Sequence, residues 1–342
     1  DVETLTGSDL LTDTLRGTGA GDTFTVDAGN GNTAGVTGSA DTVAFSDFEN
    51  LSGEGGDDTF NLNSAFAGAI DGGANGANGD EIVGNATGNA FVVNDVVDGD
   101  GGTVNTTTSF TDVENLTGGA GVDQFTFDAA LTGRAFGDGQ DDVFNINDNG
   151  SAGTIDGGDE EIDANGDVVT YAGRVTQAAD VAFDTFTDVE TLVGSTLATD
   201  TLRGTAEGDT FTVDAGTGNT AGVTVSGTTI AFSDFENLSG EGGDDTFNLN
   251  SAFVGAIDGG GNGANGDEIV GNATGNAFVV NDVVNGDGGT VNTTTSFTDV
   301  ENLTGGADVD QFTFDAALSG TASGLGEDDV FNINDNGSVG EI

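Results

Sequence analysis

Residues 112–127 read Asp112-Val113-Glu114-Asn115-Leu116-Thr117-Gly118-Gly119-Ala120-Gly121-Val122-Asp123-Gln124-Phe125-Thr126-Phe127. Val113 to Leu116 alternates apolar and polar residues, the period-2 pattern of a strand. Gly118, Gly119, Gly121 and Asp123 make a turn, and the alternation resumes at Phe125 and Phe127. The unit is strand, glycine-carboxylate turn, strand.

Its first half recurs at Asp1, Asp47, Asp112, Asp188, Asp234 and Asp299, each time as Asp, Val or Phe, Glu, Asn or Thr, Leu, a variable residue and Gly. The gaps between starts run 46, 65, 76, 46 and 65, so the larger period is 187. Positions 1–155 align with 188–342 without a gap, and 21 of the 155 pairs differ. The expected organisation is a first full repeat, 1–187, continuous with an incomplete second copy, 188–342. A repeat of this kind decides the fold class before any other signal. The absence of an initial methionine and the stop partway through the second copy give the expectation of a segment of something longer, or of a processed product.

Apolar anchors recur about every nine or ten residues. Leu15 and Phe24 each stand two residues after an aspartate, Asp13 and Asp22. Asp80 and Asn89 repeat that spacing of nine, Asp22 and Asp58 are 36 apart, and Asp123 and Asp142 are 19 apart. Residues 27–42 read as a loop or irregular strand and 98–108 as a polar loop. Residues 147–180 are the least regular part and contain the acidic run Asp159-Glu160-Glu161. No segment has helical apolar spacing, so the chain is expected to be all-β. The favoured architecture is a parallel β-solenoid rod of stacked coils, with phenylalanines as an internal core column and Thr and Asn facing out. The alternative is a string of tandem β-sandwich domains, whose usual buried tryptophan, disulfide or tyrosine corner has no signal here.

The charge is extreme: 60 acidic residues against 4 arginines and no lysine, a formal net charge of −56. Such a chain lacks the cations that phosphate contacts need, which excludes nucleic acid, and an anionic membrane surface would repel it. No apolar run is long enough for membrane insertion. Mutual repulsion opposes compaction unless cations neutralise it; a high-salt habitat would also give such a count. With no cysteine and no histidine there are no disulfides, no thiol chemistry and no usual general base or zinc ligand. The arginines Arg16, Arg134, Arg174 and Arg203 are dispersed, so the chain is not expected to be an enzyme.

Gly118 to Thr126 fits G-G-x-G-x-D-x-(apolar)-x at every position. This resembles the calcium-binding nonapeptide of bacterial RTX proteins. The pattern degrades elsewhere: Glu54 replaces the second glycine before Asp58, Asp138 and Gln140 replace glycines before Asp142, and Asp308 stands for the third glycine before Asp310. The resemblance implies Ca2+ held between stacked turns, since hard carboxylate and carbonyl oxygens suit that ion. The expected metal residues are Asp58, Asp123 and Asp142, with Asp245, Asp310 and Asp329 in the second copy. Asp22, Asp57, Asp141, Asp209, Asp244 and Asp328 are second choices. The competing reading is that these aspartates make Asx turns and solubilise the chain.

The recurring Glu-Asn-Leu-Thr-Gly-Gly and Ile-Asp-Gly-Gly segments are also similar to the β-strand repeats of large haemagglutinin-like and adhesin-like bacterial exoproteins. That resemblance implies a secreted protein at the cell surface or in the extracellular matrix, with a structural role in a stalk or filament, calcium ions as partners and self-association into fibres. The alternative it leaves is a calcium-dependent adhesin module with a glycan or surface ligand.

Overall fold

A computed structural model describes residues 3–8, 12–39, 41–97, 99–158, 166–216, 219–223 and 229–342. The described residues are all-β, with a single short 3-10 turn at Phe183–Thr185. The chain divides into two compact units: residues 1–177 with 186–190, and residues 178–185 with 191–342. The acidic run at 159–161 lies outside the described residues.

In the first unit one sheet runs through Asp22–Val26, Thr59–Leu62, Glu81–Val83, Asn115–Gly119, Ala130–Asp138 and Ser151–Gly158, each parallel to the next. A second sheet runs through Ala90–Val93, Gln124–Phe127, Val143–Ile146 and Val168–Thr170, again parallel. The pairing puts like on like: Phe24 opposite Phe60, and Phe91 opposite Phe125 opposite Phe144. The second unit repeats this arrangement, with Phe211 opposite Phe247 and Phe278 opposite Phe312 opposite Phe331.

Alternation explains what is buried. In Thr59–Leu62, Phe60 and Leu62 turn inward while Thr59 and Asn61 stay half-buried. Phe91, Phe125 and Phe144 are fully buried. Their rings stack with centroids 4.8 Å apart and planes within 8°, which is the spacing between neighbouring strands. Offset from that column would cost both burial and ring contact.

The sheets are parallel-rich but not purely parallel. Asn32–Val36 lies antiparallel between Asp22–Val26 and Val43–Ser46. Gly102–Val104 lies antiparallel between Ala90–Val93 and Thr108–Thr111. The second unit has the same insertions at Asn219–Val223 and Gly289–Val291. The expected polar loop at 98–108 therefore contains a strand. Its residues, Gly-Thr-Val, are too few and too polar to show a period, and cross-strand pairing on both sides supplies what local propensity does not.

Candidate functional site: the aspartate columns

Asp22, Asp58, Asp80, Asp123 and Asp142, each two residues before a core anchor, are buried at the mouths of their strands. In the first unit the backbone N–H of Asp22 donates to Asp58 Oδ1 at 2.6 Å, that of Asp58 to Asp80 Oδ1 at 2.7 Å, and that of Asp80 to Glu114 Oε2 at 2.8 Å. A second column runs from Asn89 to Asp123, then to Asp142 at 2.6 Å, Asp167 at 2.5 Å and Glu190 at 2.7 Å. In the second unit Asp209, Asp245, Asp267 and Glu301 repeat the first column, with links of 2.7, 2.7 and 2.9 Å. Asn276, Asp310 and Asp329 begin the other, with links of 2.6 and 2.9 Å. Each carboxylate thus satisfies a buried amide on the neighbouring strand, a group that is costly to leave unpaired.

The recurring Asp-(Val/Phe)-Glu-(Asn/Thr)-Leu motif closes these columns. Glu49, Glu114, Glu190, Glu236 and Glu301 each accept the N–H of the last aspartate. Where the next residue is asparagine, its side-chain amide donates to that same aspartate's carbonyl, as Asn115 does to Asp80 and Asn302 to Asp267. The motif's own aspartate takes a positive φ at Asp47, Asp112, Asp188, Asp234 and Asp299. Aspartate tolerates this left-handed conformation better than most residues. It aims the next residue inward, and Val113 and Val300 are wholly buried.

The glycine five residues ahead of an aspartate in these turns is required by space. A Cβ on Gly53, Gly118, Gly137, Gly240 or Gly305 would overlap Oδ2 of Asp58, Asp123, Asp142, Asp245 or Asp310. The second turn position is required by conformation: Gly119 has φ +138°, and where the nonapeptide pattern breaks, Glu54 and Asp138 keep positive φ at 72° and 82°.

The twelve expected residues fall into three settings. Asp58, Asp123, Asp142, Asp245, Asp310, Asp22 and Asp209 are buried column members; Asp329 is a half-buried one. Asp57 and Asp244 lie outside the columns and clasp a neighbouring turn. Asp57 accepts the backbone N–H of Asn78 and of Gly79, each at 3.0 Å, and Asp244 those of Asn265 and Gly266 at 2.9 and 2.8 Å. The Asn78 and Asn265 amides are the first cause holding Asp57 and Asp244 below the ordinary carboxylate range. Asp141 is half-buried and Asp328 exposed. The expected set omits Asp80, Asp167 and Asp267, which are equally buried members, as well as the closing glutamates. The Asp80–Asn89 spacing of nine pointed at Asp80, but the two sit in different columns.

Several column carboxylates keep one oxygen, Oδ2, buried without a hydrogen-bond donor: Asp58, Asp80, Asp123, Asp142, Asp245 and Asp267. Burial first, and then neighbouring carboxylates, push these six up from 3.8 to values between about 6 and about 8. The other ends are better served: Asp22 Oδ2 accepts the Thr18 amide at 2.5 Å and Asp310 Oδ2 the Gly306 amide at 2.6 Å.

Calcium takes about six to eight oxygens. In Asp58, Asp80, Asp123 and Asp142 Oδ1 accepts a backbone amide, and Oδ2 with nearby carbonyl oxygens supplies further hard oxygen donors. Among the described residues no three acidic side chains converge as a metal group. As folded, the columns hold backbone.

No family model, no curated protein and no solved structure matches this chain.

Proposed function

We propose that the chain is a structural repeat segment of a secreted bacterial cell-surface or extracellular filament protein, built as a parallel β-solenoid and without catalytic activity. The observation that carries this reading is duplication of one core and column arrangement. Both units use the same stacked phenylalanines, the same aspartate columns and the same closing glutamates. A repeat that buries its face only against its neighbours gains length by adding copies. The resemblance of the turns to exoprotein repeats supports the extracellular setting.

Calcium enters this proposal at the acidic Gly/Asp turns, whose carboxylate and carbonyl oxygens suit a hard cation, and through the outer charge. Exposed carboxylates at a net charge of −56 repel neighbouring molecules, and divalent ions gathered on that surface lower the barrier to side-by-side contact. Two exposed apolar pairs, Val96-Val97 and Val283-Val284, recur one period apart and supply contact points for self-association. Electron microscopy of the purified chain with calcium and with chelator tests this. Calcium-dependent fibres are expected; dispersed monomers in both conditions would defeat the filament reading.

A second reading, an adhesin module, is favoured by one feature of the first unit. Thr37, Thr59, Asn78, Glu81, Asn115 and Thr117, together with Arg134, line a groove of about 340 Å³. Hydroxyl, amide and carboxylate groups of this kind suit a glycan. Binding on a glycan array that is lost in Asn115→Ala and Thr117→Ala would support it, and no binding to any glycan would remove it.

A further inference from the structure

A strand that caps the core of the second unit has no counterpart among the described residues of the first. In the second unit Asp180–Ala182 runs parallel to Thr201–Arg203, with Asp180 opposite Thr201, Val181 opposite Leu202 and Ala182 opposite Arg203. Phe183 follows, buried, with its ring edge-on to Phe211 at 6.1 Å. The Asp180 carboxylate meets Arg203 Nε at 2.7 Å. The Ala179 amide donates to Asp200 Oδ1 at 2.6 Å, and the Ala179 carbonyl accepts the Thr201 amide at 2.8 Å. One short segment thus adds a strand, plugs the core with a ring and pairs an arginine.

The first unit has the same receiving residues 187 positions earlier: Thr14–Arg16 for Thr201–Arg203, Phe24 for Phe211 and Asp13 for Asp200. Among the described residues Thr14–Arg16 pairs on one side, with Asn50–Ser52, whereas Thr201–Arg203 pairs on both. Thr14 and Arg16 are exposed where Thr201 and Arg203 are half-buried. Beside that open edge Leu5, Leu15, Phe24, Ala34, Val36 and Val43 line a cleft of about 160 Å³. Val36 is 43% exposed, and Leu5 is half-buried where its counterpart Leu192 is wholly buried. Arg16 pairs with Glu54 as Arg203 does with Glu241, but among the described residues Arg16 has no ion pair matching the one Arg203 makes with Asp180. Asp13 accepts the Ser8 amide through Oδ2, as Asp200 accepts that of Ser195. Its Oδ1 therefore corresponds to the oxygen on which Asp200 receives Ala179.

We propose that this cleft is a docking site for one extended strand of a separate polypeptide. The strand adds parallel to Thr14–Arg16, sets a carboxylate against Arg16 and, three residues later, inserts an aromatic ring against Phe24. Strand addition at an open sheet edge draws affinity from main-chain hydrogen bonds and selectivity from side-chain pockets. Here the apolar cleft selects the aromatic. Arg16, in a chain with only 4 cationic residues, selects the acid. A second copy of this chain is the poorer occupant, because its own Asp180–Ala182 strand and Phe183 are already packed in its second unit.

The test uses the full chain and a fluorescent synthetic peptide of residues 177–185, Gln-Ala-Ala-Asp-Val-Ala-Phe-Asp-Thr, in about 150 mM salt to screen surface charge. Fluorescence anisotropy is expected to show saturable binding of one peptide per chain. Phe183→Ala in the peptide should weaken binding by about tenfold or more through lost burial. Arg16→Gln in the chain should weaken it by up to about fivefold. Val36→Asp, at the exposed rim, should abolish it while circular dichroism and melting stay unchanged; the peptide variant keeps the test valid if that chain fails to fold. A photo-crosslinking phenylalanine at position 183 of the peptide should label the first unit's cleft. No saturable binding, binding indifferent to Phe183→Ala, or labelling confined to the second unit would overturn the proposal. So would sedimentation of the chain alone as a dimer that the peptide dissociates, since a second copy would then be the occupant. None of these readouts depends on calcium or on fibre formation.

Discussion

Glu114 closes the column that begins at Asp22: its Oε2 accepts the backbone N–H of Asp80 at 2.8 Å. The next residue, Asn115, gives both its backbone and its side-chain N–H to the Asp80 carbonyl, at 2.9 and 3.2 Å. One dipeptide therefore grips both polar groups of one aspartate backbone, and the second unit does the same with Glu301, Asn302 and Asp267.

Removing the grip leaves a buried amide unpaired. Glu114→Ala is expected to cost about 1–3 kcal/mol, measured by denaturant unfolding. Glu114→Gln keeps an acceptor oxygen and removes a like charge from beside Asp80, so its effect should be the smaller of the two.

The glycine in front of each column aspartate is a packing requirement. Gly118→Ala would drive a methyl into Asp123 Oδ2 and the Gly137 carbonyl, with an expected loss of about 1–3 kcal/mol. Gly19 has open space around its Cβ position and no positive φ, so Gly19→Ala is expected to be neutral or mildly stabilising. Thermal melts of the two variants side by side check the contrast.

Phe125 sits between Phe91 and Phe144 in the ring stack. Phe125→Ala is expected to cost about 3–5 kcal/mol through lost burial and a residual cavity. The matching change at Phe331, a half-buried ring stacked on Phe312 alone among the aromatic contacts found for it, should cost less. Denaturant melts of both variants test this ordering.

Much of the fold is legible in the sequence because its period is enforced by contact. Phe60 must lie over Phe24 and Asp58 over Asp22, so residues at equivalent levels recur with the same neighbours, and the repeat shows the β class and the core. The direction of the aspartates is not legible in this way. A glycine-rich turn with a carboxylate does not show whether that carboxylate points outward or is drawn in to meet an amide. Only the partner strand, 36 residues away for Asp22 and Asp58 or 19 for Asp123 and Asp142, decides between them. The glutamate of the recurring motif was visible six times, yet its role rests on an amide 34 residues earlier in the case of Glu114. Asn32–Val36 and Gly102–Val104 escaped full recognition because the strands on both sides, more than their own residues, make them strands.

Backbone amide hydrogen exchange at Asp22, Asp58 and Asp123 tests most directly whether the columns hold the strands together. These amides should exchange as slowly as those of the strand interiors, and Asp142→Ala should selectively expose the amide of Asp123, whose acceptor it removes. Rapid exchange at all three in the unaltered chain, at the rate of open surface turns, would contradict the account.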